Sequence, residues 1–188
     1  MRLVLPVAIA MLAAGCAADS HGVAPSPAAP RATAYDVYRA VLGTRTPGRG
    51  EALVVLDETT TFASCSARIG GGVGDEWRSA LEHYHAENSR PERLDPGQWL
   101  GLSTVFINRA RFEALLSPMR GWQDFHAEYP GGVLLTLSAV GFDPDRTRAV
   151  VQIGTQCGLL CGEWRDYYLV GQGGSWTVTP LQTCRAIA

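Results

Sequence analysis

From residue 133 onward the apolar side chains recur at every second position. That period belongs to an extended chain, whose side chains point alternately to the two faces of a sheet, and it excludes a helix there. The segments VLLTLSAVGF, TRAVVQIGTQC, CGEWRDYYLVG and SWTVTPLQTC are separated by Asp143-Pro144-Asp145, by GLL and by QGG. Connections this short join antiparallel neighbours, so the spacing predicts a four-stranded β-meander.

Upstream the period changes. Residues 34–42 carry Tyr35, Tyr38 and Leu42 at helical spacing, residues 75–88 carry Trp77, Ala80, Leu81 and Tyr84, and residues 120–130 carry Trp122, Phe125 and Tyr129. Residues 51–62 and 99–107 are rich in β-branched and apolar types and read as strands, while Asn108 is placed to cap a short helix with Phe112, Leu115 and Leu116 inward. The expected fold class is α+β: N-terminal helices packed on an antiparallel sheet, with the meander at the C-terminus.

The N-terminus carries an address. Met1-Arg2 is followed by an apolar stretch and then by Ala13-Ala14-Gly15-Cys16, which resembles the bacterial lipobox. This implies a signal peptide over residues 1–15, acylation of Cys16 and a cell-envelope location. Ala17 follows the cysteine where aspartate would imply inner-membrane retention, so the resemblance implies an outer-membrane anchor facing the periplasm. Residues 16–33, with three prolines and much alanine, read as the lipidated cysteine and a tether too poor in apolar periodicity to fold. Residues 34–188 then form the expected single globular domain.

With Cys16 assigned to lipid, Cys65, Cys157, Cys161 and Cys184 remain. An even number in an oxidising compartment predicts two disulfides, with three connectivities possible. Cys157 and Cys161 flank a three-residue loop between strands and would sit nearly opposite each other, so the preferred pairing is Cys157 with Cys161 and Cys65 with Cys184. A thioredoxin-like site has two residues between its cysteines and lies where a strand meets a helix, unlike this loop. Structural zinc would need two further ligands in a compartment that oxidises thiols. No metal and no cofactor is expected.

Other chemistries lack their residues. Net charge is -2 and all 16 basic residues are arginine without a run, which argues against a nucleic-acid groove. The glycines at 70–74 precede Asp75 and Glu76, which would repel a phosphate at that helix start. His83 and His85 diverge by about 200° on a helix and cannot share an ion. His126 sits beside Phe125 and reads as a packed or rim histidine. There is no Gly-x-Ser-x-Gly elbow, and Ser103 and Ser138 show no local base. Asp143 with Asp145 reads as a turn, Asp124 with Glu128 as an exposed helical face, and the five tryptophans as core and sheet-face packing.

The run from Gly121 to Val178, with Leu-Ser-x-Val-Gly-Phe, Cys-Gly-x-Leu-Cys-Gly and Gly-x-Trp-x-Val, resembles a family of uncharacterised secreted proteins and bacterial lipoproteins. The early VYRAVL and ALVVLDETT are similar to that group's N-terminal signature, and Glu163-Trp164-Arg165 departs from it. The resemblance implies no transferable activity. The function expected is a lipid-anchored envelope module that binds a protein or envelope polymer without catalysis. The alternative is a small periplasmic hydrolase with a spatially assembled site.

Overall fold

The structure is a computed structural model, and it describes residues 33–44, 52–61, 72–99, 104–115, 121–158, 160–181 and 185–187. The first half supplies α1 (Ala34–Gly43), β1 (Leu53–Leu56), a 3₁₀ turn (Asp75–Trp77) that runs into α2 (Arg78–Glu87), β2 (Thr104–Ile107), α3 (Arg109–Leu115) and α4 (Gly121–Glu128). The second half supplies β3 (Val133–Leu137), β4 (Gly141–Phe142), β5 (Arg148–Gly158), β6 (Cys161–Gln172), β7 (Ser175–Val178) and β8 (Arg185–Ile187). The protein is α+β.

Its sheet has the order β2-β1-β3-β5-β6-β7, with β4 added to β5 and β8 to β6. β1 runs parallel to both β2 and β3, while the pairs from β3 onward are antiparallel. This mixed sheet corrects the expectation of an antiparallel one. Helices separate β1 from β2 and β2 from β3, and a helical crossover returns the chain to the end where the next strand starts parallel. Periodicity reports which face a residue takes and is silent on strand direction.

The strand expected over residues 133–142 is also interrupted, between Leu137 and Gly141. Its buried main chain finds other partners. Ser138 N–H donates to the Gln152 carbonyl at 3.0 Å, and the Ser138 carbonyl accepts from the Tyr38 hydroxyl at 2.7 Å. Ala139 N–H donates to Asn88 Oδ1 at 2.8 Å, and Asn88 Nδ2 donates to the Ala139 carbonyl at 3.0 Å. The break is therefore fully hydrogen-bonded at Ala139, as a buried backbone requires.

Both faces of the sheet are covered. On one, Val37, Tyr38, Val41 and Leu42 of α1 pack on Leu135, Leu137, Ala149, Val151, Ile153 and Leu169. On the other, Trp77, Ala80, Leu81 and Tyr84 of the α2 region meet Val150 and Tyr168, while Leu115 and Phe125 of α3 and α4 meet Val54, Ile107 and Leu134. Residues 149–154 of β5 are accordingly buried at every position, the signature of a central strand with two covered faces. The helix faces expected from Trp77, Ala80, Leu81 and Tyr84, and from Trp122, Phe125 and Tyr129, are the faces that pack inward. Asn108 Oδ1 accepts from Arg111 N–H at 2.9 Å, the expected cap of α3. At the end of α4 the chain leaves through Gly131 at φ 67°, a conformation that glycine adopts without steric cost.

Candidate functional site

Helix α2 lies against β4, and a groove runs beside that contact. Its two adjoining cavities, ≈ 250 and ≈ 530 Å³, share His83, Phe142 and Arg146. The floor is apolar, with Tyr38, Leu94 and Val140, and the walls carry Glu82, Glu87, Glu92 and Arg93. Ser79, His83 and Glu87 recur every fourth residue of α2 and so share one side of the helix. His83 Nδ1 accepts from Phe142 N–H at 3.2 Å, and its Nε2 lies 3.7 Å from Glu87 Oε1.

The turn from β4 to β5 forms the opposite wall. Asp143 Oδ1 accepts from Thr147 N–H at 2.7 Å and Arg148 N–H at 2.9 Å, and its Oδ2 accepts from the Thr147 hydroxyl at 2.7 Å. Burial alone would raise this carboxyl, but those donors and the nearby Arg148 charge outweigh it and hold it below the ordinary value. The turn carries Arg146 at φ 53°, the left-handed region that a non-glycine residue enters only when its surroundings fix it there. Its guanidinium stands 4.5 Å from the Phe142 ring centroid.

A second cavity, ≈ 240 Å³, opens near the carboxyl ends of the parallel strands. Thr60 and Thr61 follow β1, Arg109 follows β2 at the start of α3, and Thr136 belongs to β3. Gln156 and Trp164 close it from β5 and β6. Glu58 Oε1 accepts from Arg109 Nε at 2.6 Å, which pairs the guanidinium charge. Beyond this cavity along the same face, Gln152 Nε2 donates to Asp166 Oδ1 at 3.2 Å, with both residues almost fully buried.

A third concavity of ≈ 340 Å³ lies at the end of the β5–β6 hairpin, beside Cys157, Cys161, Leu160 and Ile187. Cys157 and Cys161 are joined by a disulfide with a Cα separation of 5.1 Å. The residue across from Cys161 is Gly158, not Cys157, because the register shifts between Gln156 and Gly158. Cys157 is the extra residue of a bulge, which turns it toward its partner. Near it, Glu163 accepts from both Arg165 and Arg185 at 2.6 Å. Burial would raise this carboxyl, and the two guanidinium groups bring it below its ordinary value.

No family model, curated protein or solved structure matches this chain. Its residues carry the functional assignment themselves.

The residues singled out from sequence fall in different places. Cys16, Cys65, Cys184 and Ser103 lie outside the described residues. Residues 78–87 are helical, so His83 faces Phe142 while the His85 ring stands edge-on to Tyr84. His126 Nε2 is 3.0 Å from the Cys157 carbonyl, next to the disulfide and remote in sequence from any serine of α2. Ser138 is buried, and its hydroxyl serves the main chain at Ala139 and Gln152. Of the carboxylate pairs, Asp143 organises its turn and Glu128 pairs with Arg111. Among the described residues no group of three or more His, Cys, Asp or Glu is placed to hold a metal ion. Two features escaped the sequence reading: the Gln152–Asp166 pair and the cavity of Thr136, Gln156 and Trp164. The available signal was polar residues at positions 136, 152 and 166 of otherwise apolar strands.

Proposed function

We propose that this chain is a lipid-anchored envelope domain that acts by binding a protein or envelope polymer and not by catalysis. In this reading Cys16 carries the acyl chains in the outer membrane, residues 17–33 are the tether, and the folded part faces the periplasm, stapled by Cys157–Cys161 and by a second bond from Cys65 to Cys184. More than one acyl chain makes such attachment stable.

The observation that supports binding over catalysis is the state of His83. Ser79, His83 and Glu87 form a row that suggests a hydrolase, and this is the observation favouring the alternative reading. A base needs a free imidazole lone pair, and a neutral imidazole has one. At His83 that lone pair accepts the Phe142 main-chain N–H, which leaves the proton on Nε2, toward Glu87. No lone pair is left to take a proton from Ser79, so the row lacks its base.

The test is labelling of the envelope-bound full-length protein with a fluorophosphonate, which traps serine nucleophiles, alongside metabolic labelling with an alkyne fatty acid. The expected outcome is no fluorophosphonate adduct, with fatty-acid label that Cys16→Ala removes. An adduct abolished by both Ser79→Ala and His83→Gln would establish the hydrolase instead, and label retained by Cys16→Ala would remove the anchor.

A further inference from the structure

We infer that the cavity bounded by Thr136, Gln156 and Trp164 is a saccharide subsite that holds one pyranose ring of an envelope polysaccharide. The inference rests on the reading of the chain as a binding module and names the ligand class. It concerns a different site from the His83 groove.

Position is the first argument. In sheets with parallel strands, the loops that leave the carboxyl ends splay apart and open a crevice there. Thr60 and Thr61 lie on the loop that leaves β1, and Arg109 opens α3 directly after the end of β2.

The second argument is a threonine in the wall. Thr136 stands in the otherwise apolar strand VLLTL, is only 6% exposed, and lines the cavity. A valine would fill the same space, whereas the hydroxyl can both donate to and accept from a ligand hydroxyl.

The third is Gly154. A Cβ at that position would stand 2.3 Å from Thr136 Oγ1 and 2.5 Å from Trp164 Nε1. Any side chain there would displace both polar atoms. Glycine leaves the space over the strand that the threonine hydroxyl and the indole N–H occupy.

The lining then selects the ligand. Hydroxyls of Thr60, Thr61 and Thr136 and the carboxamide of Gln156 both donate and accept, which matches a ring bearing several hydroxyls. Trp164 and Phe112 offer aromatic surface to the C–H groups of such a ring. An anion is not favoured, because Glu58 already pairs the Arg109 guanidinium. An apolar ligand would leave the hydroxyls unpaired. The ≈ 240 Å³ corresponds to about eight waters at liquid density, room for one sugar ring and too little for two.

The experiment is saturation-transfer NMR on the full-length protein in detergent, with maltotriose, chitotriose, mannotriose and galactotriose as probes, followed by chromatography of the sugars. At least one trisaccharide is expected to bind with Kd on the order of 1 mM. Thr136→Val is expected to weaken it by about tenfold while leaving the melting temperature unchanged or higher, and Gly154→Ala is expected to abolish it. Absence of transfer from all four sugars, or affinity unchanged in Thr136→Val, overturns the subsite and leaves the binding-module reading standing. Cleavage of a bound trisaccharide supports the subsite and overturns the non-catalytic reading.

Discussion

The side chain of Asn88 hydrogen-bonds both main-chain polar groups of Ala139, accepting from its N–H at 2.8 Å and donating to its carbonyl at 3.0 Å. The carboxamide stands in for a neighbouring strand at the point where β3 ends and β4 has not begun. It also donates to the Tyr84 carbonyl at 2.8 Å, so one side chain ties the end of α2 to the break in the sheet. Asn88→Ala strands both groups of Ala139, and the expected cost is about 2–4 kcal/mol from two lost bonds at a buried site. Urea unfolding measures it. A loss below about 0.5 kcal/mol would mean that water replaces the carboxamide.

Gly141 is the contact point between helix and sheet. A Cβ there would lie 2.3 Å from the Ala80 carbonyl oxygen and 2.5 Å from the Tyr84 amide nitrogen, and backbone atoms cannot swing aside as a flexible side chain can. Gly141→Ala must push α2 off β4, separating Trp77 from the Tyr168 ring, now 5.1 Å away centroid to centroid. The expected destabilisation is about 2–3 kcal/mol. Loss of near-ultraviolet circular dichroism would accompany it, and a variant with unchanged stability and spectrum would rule out the close approach.

Acid sensitivity follows from Asp143. Its folded pKa lies below the ordinary 3.8, despite burial, because four donors and cations favour the carboxylate. A depressed folded value contributes stability that is fully present above the unfolded pKa and is lost as pH falls through the folded value. Asp143→Asn offers one acceptor oxygen where two are used, and is expected to cost about 1–2 kcal/mol at pH 7. The gap between wild type and variant should close as the pH drops below 3.8. A gap that stays constant down to acid pH would place the effect elsewhere.

The Cys157–Cys161 bond and the proposed Cys65–Cys184 bond differ in what they would constrain. Cys157 and Cys161 are four residues apart, so the bond closes a small loop and its removal by paired serine substitution is expected to cost about 2 kcal/mol. A bond from Cys65 to Cys184 would close a far longer loop and contribute about 4–5 kcal/mol on the same reasoning. Peptide mapping without reductant is expected to recover a cross-linked Cys65–Cys184 peptide. Recovery of both as free thiols would remove that bond and leave one staple.

What the sequence determined was local. The helix faces of Trp77, Ala80, Leu81 and Tyr84, the Asn108 cap, and the strand character of residues 148–158 and 161–172 all follow from spacing within a dozen residues. The Cys157–Cys161 bond was legible for the same reason, since four residues of separation leave a hairpin little choice. Tertiary structure alone decided the rest. Nothing in LVVL states that β1 runs parallel to β2 and β3, because alternation fixes the face of a side chain and leaves its neighbouring strand open. Asn88 and Ala139 are 51 residues apart, and Gly141 looks like an ordinary turn glycine until α2 is laid across it. Thr136, Gln156 and Trp164 share a cavity only once the order β3-β5-β6 is set. Contacts across a sheet depend on which strands are adjacent, and adjacency is a property of the whole packed core.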